Sequence, residues 1–172
     1  LFGTLGNLTN NQVINNQDFT KVADLINEFV NYQEKTINNY LELAQQMATY
    51  TRSVKSAIEE ALKKEDKTGE LTKLKELFSD LLIPDLDNQN FADMSAQTIA
   101  YGLFTALFYH AQNQNKETFN RQSISSYLGN KIPFLKGFFQ TVIKTNIVTE
   151  IDVAINNLIK LFAKVDMINI LE

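Results

Sequence analysis

The sequence predicts an all-α protein, an irregular bundle of six to eight helices. Three observations predict it. Apolar residues recur every three or four positions over long stretches, the spacing that lines one face of a helix. The two prolines, Pro84 and Pro133, fall where such stretches stop or start. No segment alternates apolar and polar residues in the manner of a half-buried strand. Hydrophobic residues make up 44% of the chain and include 12 Phe, enough for a packed core, which argues against wholesale disorder.

Residues 1–20 carry two glycines, many Asn and only short apolar scraps, and read as an irregular arm or the tail of a preceding module. A helical domain is expected over 21–172. Its first helix has apolar positions Val22, Leu25, Ile26, Phe29 and Val30, with Asp18 or Thr20 as the cap. The clearest long helix runs over 36–64. Ile37, Leu41, Ala44, Met47 or Ala48, Thr51, Val54, Ile58 and Leu62 form its stripe, and its length predicts a rod about 43 Å long. Gly69 is the expected stop signal after it. Leu71, Leu74, Leu77, Phe78, Leu81 and Leu82 then continue the helical pattern up to Pro84.

A buried central helix is expected near 88–111. Asp87 is placed to cap its free amides, and Leu86 and Phe91 occupy the two positions of a hydrophobic staple. The stretch Phe91–His110 is too apolar on every side to face water. Ile99, Leu103 and Leu107 form one stripe, Tyr101, Phe104 and Phe108 another, and Ser95, Thr98, Gly102 and Thr105 a narrow side. Glycine in mid-helix costs about 1 kcal/mol, so a closely approaching neighbour at Gly102 is expected. A polar hinge over Gln112–Lys116 leads to a short helix around Arg121–Leu128, broken at Gly129–Asn130. Pro133 suits the first turn of the next helix, with Phe134, Leu135, Phe138, Phe139 and Val142 inward. Thr149 and Asp152 resemble a capping box for a last helix carrying Ile151, Ile155, Leu158, Ile159 and Phe162.

Composition narrows the chemistry. There is no Cys, which excludes disulfides and thiolate metal sites and fits a reducing cytoplasm. No apolar run reaches membrane-spanning length, and no membrane partner is expected. A net charge of -4 argues against nucleic-acid binding by the whole surface. Lys63–Lys64 and Lys73–Lys75 are balanced by Glu59, Glu60, Glu65, Asp66, Glu70 and Glu76, and read as a solvated helix pair around a turn. His110 is the only histidine, so no two-histidine metal site exists within the chain. It suits the carbonyls at a helix end. Asp85 and Asp87 are not backed by the lysine-bearing strand of a metal-dependent nuclease. Gln97, among apolar neighbours, predicts an internally satisfied interhelical hydrogen bond. Tyr101, Phe104 and Phe108 would stack nucleobases only if exposed, and core packing is expected instead. Arg121, Lys131, Lys136 and Lys144 are the candidates for contact with a DNA backbone or an adjoining domain. Asp87, Phe91, Gln97, Gly102 and Phe104 are the structural candidates.

The phrase LLIPDLDNQNFADMSAQTIAYGLFTALFY, Leu81–Tyr109, resembles a stretch of bacterial single-chain restriction–modification proteins and adenine-specific DNA methyltransferases of the type IIG and type ISP kinds. There a phrase close to L-P-D-L-T-x-x-x-F-A-D-x-Y-A-Q-T-I-A-Y-G-L-F-A-A-R is followed by F-x-R and then by N-P-F-L-R-x-L-F. Phe119-Asn120-Arg121 and Pro133 to Phe139 are similar to the second and third elements. The resemblance covers roughly 36–172 and departs from the family at Ser95, over Leu107–Tyr109 and at Ile132. It implies a helical connector between a nuclease-like part and a methyltransferase domain that uses S-adenosylmethionine and acts on double-stranded DNA. The fragment lacks the Phe-x-Gly-x-Gly cofactor loop, the Asn-Pro-Pro-Tyr tetrapeptide and a PD…(D/E)xK arrangement. It is therefore expected to bind no cofactor and neither to methylate nor to cut DNA alone. A DNA-backbone-binding module of the same enzyme and a freestanding partner-binding protein are the alternatives.

Overall fold

A computed structural model of the chain describes residues 16–30, 35–113, 118–122, 124, 127 and 149–171. The chain divides into two units, Leu1–Lys35 and Thr36–Glu172. Among the described residues there are six helices and no strand, as an all-α fold requires.

In the first unit, α1 spans Asn16–Val30, so helix reaches back into the stretch read as an irregular arm. Its Phe19, Leu25, Ile26, Phe29 and Val30 are exposed, Phe29 at 83%.

The second unit begins with a zipper. Ile37 N–H donates to the carbonyl of Lys164 at 2.8 Å, and Asp166 N–H donates to the carbonyl of Ile37 at 2.8 Å. This single parallel bridge buries Ile37 outside any helix. Helix α2 accordingly starts at Tyr40, four residues later than the periodicity predicts, and ends at Lys64. Asn39 decides the start: its side-chain oxygen accepts from Leu41 N–H (2.8 Å) and Glu42 N–H (3.2 Å). Glu42 in the first turn and Lys63 and Lys64 in the last suit the helix dipole. The rod is about 37 Å long.

Helix α3 (Glu70–Leu81) follows a short turn, and Gly69 is its N-cap, not the left-handed stop of α2. Glycine brings no capping oxygen, and Glu65 supplies it from across the turn. The Glu65 carboxylate accepts from Thr72 N–H (2.9 Å), Thr72 Oγ1 (3.1 Å) and Leu71 N–H (3.4 Å). One residue therefore ends α2 and caps α3. In the next turn Asp85 holds a left-handed φ of 61°, which aspartate tolerates better than most residues.

Helix α4 spans Asn88–Gln112 and is the axis of the unit. Asp87 caps it as expected, accepting from Asn90 N–H at 2.7 Å. Both staple residues, Leu86 and Phe91, are buried, and Phe91 meets Phe78 of α3 edge to face at 6.1 Å between ring centres. Helix α5 (Thr149–Ala163) buries Ile151, Ile155, Leu158, Ile159 and Phe162, and α6 (Met167–Leu171) buries Met167. Helix α2 packs on α3, α4 and α5, and α4 packs on α5 and α6. The helix expected from Pro133 lies outside the described residues.

Two facial assignments change. The inward stripe of α2 is Leu43, Val54, Ile58, Ala61 and Leu62, whereas Leu41 is 56% exposed and Ala44 and Ala48 are also exposed. On α4, Tyr101 is 64% exposed while Phe104 and Phe108 are half-buried. The helix is therefore not wrapped on all sides. Its exposed edge follows the one polar spacing in the segment, Asp93 and Gln97 four residues apart, continued by Tyr101.

Candidate functional site

Those two unburied edges face each other across a groove. Ala44, Met47, Ala48, Thr51, Arg52 and Lys55 of α2 and Asp93, Gln97, Ala100 and Tyr101 of α4 line it, around a volume of about 420 Å³. Three of these residues are alanines, and Tyr101 is exposed. Lys55 Nζ lies 3.1 Å from Asp93 Oδ1 and 3.9 Å from Glu59 Oε1, tying α2 to α4. Gln97 Nε2 donates to Asp93 Oδ2 at 2.7 Å. The expected interhelical bond of Gln97 is thus an intrahelical one on an exposed residue. Arg52 donates to Thr49 Oγ1 at 3.3 Å and makes no ion pair among the described residues.

The other candidates are placed as follows. Phe104 lies 6.3 Å from Phe162 of α5, Phe119 lies 6.3 Å from Phe162, and His110 lies 5.6 Å from Phe119 and 5.7 Å from Tyr127. His110 is buried and lies within an aromatic cluster at the end of α4. Gly102 is buried. Arg121 lies at the start of a helical turn and is half-buried. Its guanidinium pairs with Asp152 and donates through Nε to Asn156 Oδ1 at 2.9 Å, while Asn156 Nδ2 donates to Asp152 Oδ2 at 2.9 Å. Phe119 and Arg121, two residues apart, thus clip this segment to α5, one through the core and one through an ion pair. Asp152 is engaged by this clip, and Thr149 is already helical, so the expected capping box gives way to a tertiary contact. Lys131, Lys136 and Lys144 lie outside the described residues.

Ser95 is buried. A second cavity of about 520 Å³ lies beside Thr36, His110, Asp166 and Met167. No group of three or more metal-binding side chains occurs among the described residues, and no described helix is long and apolar enough to cross a membrane.

The lysine clusters behave as a solvated charged face. Lys63 donates to Glu60 at 2.6 Å and Lys64 to Glu150 at 3.3 Å, the latter joining the end of α2 to the start of α5. Hydrogen bonding and charge from Lys63 hold the Glu60 carboxyl below its ordinary value and raise Lys63 in return. Asp66 is lowered first by the Thr68 hydroxyl, and Glu150 first by its own backbone N–H and then by Lys64.

The groove residues Arg52, Lys55 and Asp93 carried no sequence motif. The only signal was the four-residue spacing of Asp93 and Gln97 inside an apolar helix, and of Ala44 and Ala48 on α2. Compared with protein families, curated proteins and solved structures, the chain matches none.

Proposed function

We propose that Thr36–Glu172 is a non-catalytic helical connector of a DNA restriction–modification enzyme, holding a nuclease-like part and a methyltransferase domain in fixed relation. The parent would transfer a methyl group from S-adenosylmethionine to adenine N6 in double-stranded DNA. The observation that carries the reading is an apolar ledge at the head of the Leu81–Tyr109 phrase. Leu77, Leu81, Leu82 and Ile83 are exposed, Leu81 at 70%, in consecutive turns of chain. Contiguous exposed leucines of this kind mark a surface that another module covers. Support also comes from the latches that stiffen the unit: Lys55–Asp93, Lys64–Glu150 and Arg121–Asp152 each join separate elements. Engagement of Arg121 by Asp152 and Asn156 counts against its use on a DNA backbone.

The test is the coding sequence on both sides of this chain. A downstream Phe-x-Gly-x-Gly loop followed by Asn-Pro-Pro-Tyr is the expected result. Stop codons just outside residues 1 and 172 would overturn the reading in favour of a freestanding partner-binding protein.

A further inference from the structure

The α2–α4 groove has the length and lining of a seat for a third helix. From Ala44 to Lys55 it runs about 16 Å along α2, two to three helical turns. Ala44, Ala48 and Ala100 carry side chains small enough for an incoming backbone to approach closely, and Met47 offers an adaptable apolar contact. Tyr101 is 64% exposed, and tyrosine, methionine and arginine are residue types enriched where proteins meet. Among the described residues no strand offers a sheet edge to an extended peptide, so a helix laid in the groove is the docking mode this surface suits.

Charge selects the occupant. Lys55 is compensated by Asp93 and Glu59, and Asp93 also accepts from Gln97. Arg52 donates to the Thr49 hydroxyl and makes no ion pair among the described residues, so the charge left over in the groove is positive. A guanidinium with unused donors takes a carboxylate in a bidentate pair. One such charge, on a chain of net charge -4, is too little for a lipid or nucleic-acid phosphate surface. We propose that this groove docks an amphipathic helix of another protein. Its apolar residues, spaced i, i+3 or i+4 and i+7, pack on the alanines, Met47 and Tyr101, and an acidic residue on its rim pairs with Arg52. The proposal is independent of the connector reading, which rests on the ledge formed by Leu77, Leu81, Leu82 and Ile83.

The experiment is selection of random peptides of about 16 residues, long enough to span the groove, displayed on phage against the full 172-residue chain. Enriched peptides are then synthesised and their affinities measured by fluorescence anisotropy. They should carry apolar residues at helical spacing together with an acidic residue, and should gain helical circular dichroism on binding. Tyr101→Ala should weaken binding about tenfold or more. Arg52→Ala should weaken it about two- to fivefold, as for a partly solvated ion pair. Selection repeated on Arg52→Glu should enrich basic peptides in place of acidic ones, and Leu81→Asp, on the ledge, should leave binding unchanged. Arg52, Leu81 and Tyr101 are exposed, and circular dichroism confirms that each variant is folded. The proposal is overturned by no enrichment, by enriched peptides without an acidic residue, or by binding that Leu81→Asp abolishes and the groove variants do not. Sedimentation of the chain alone adds one more test: a dimer that Tyr101→Ala dissolves would assign the groove to a second copy and overturn the proposal.

Discussion

Replacing Gly69 with alanine tests the unusual cap at the α2–α3 turn. The backbone there, φ −63° and ψ 148°, is one that alanine adopts freely, so no strain arises from the main chain. The obstacle is Glu65. A Cβ at position 69 would lie 2.8 Å from the Cβ of Glu65 and would overlap its carboxyl group. Glu65 would have to swing away and release Thr72 and Leu71, whose amides it caps at 2.9 Å and 3.4 Å. Loss of a helix cap costs about 0.5–2 kcal/mol, and the overpacked Cβ contact adds about 1–3 kcal/mol. Gly69→Ala should therefore destabilise the chain by about 1.5–5 kcal/mol. In a Glu65→Gly background the same substitution meets neither carboxylate nor Cβ. There it should be neutral or stabilise by about 0.4–1 kcal/mol, because alanine restricts the unfolded chain. Urea unfolding of the four proteins, followed by far-UV circular dichroism, measures the coupling. Additive effects, or a neutral Gly69→Ala in the parent sequence, would refute the assignment of Glu65 as the cap of α3.

Three further outcomes are expected. Ser95 Oγ is buried and has no hydrogen-bond partner among the described residues, so Ser95→Ala should stabilise by about 0.5–2 kcal/mol; a lower urea midpoint would contradict this. Arg121→Ala should cost only about 1 kcal/mol, since the pair is partly solvated, yet it should speed proteolysis near Phe119; unchanged cleavage would sink the clip. For pH, the lowered carboxyls of Glu60, Asp66 and Glu150 add stability that is present above the ordinary carboxylate range and lost as pH falls through their lowered values. Lys63, raised by Glu60, adds stability that is full below the ordinary lysine value and lost as pH rises through its raised value. All four groups are exposed, so both limbs should flatten in high salt, and an acid limb unchanged by Glu60→Gln, Asp66→Asn and Glu150→Gln together would contradict the assignment.

Much of the fold was written in local chemistry. Asp87 followed by a staple pair and an apolar run specifies the start of α4, because every interaction involved lies within one turn. Periodicity likewise marked α3 and the inward residues of α5. It failed at the start of α2, where Ile37 is as apolar as a helix residue but is buried by a backbone bridge to the α5–α6 turn, more than a hundred residues away.

Tertiary structure alone decided which apolar positions were left uncovered. Leu41, Ala44 and Tyr101 fit their helical stripes, yet a helix buries only the faces its neighbours reach, and these positions stay exposed, Ala44 and Tyr101 lining a groove between α2 and α4. The partners of Glu65, Arg121 and Gln97 were hidden for a related reason. Charge and hydrogen-bonding capacity are properties of a residue, whereas the choice among several available partners depends on how the helices dock. Local residue patterns made this chain helical and picked out the segment that forms α4; docking of the helices decided which of its faces stay open to solvent.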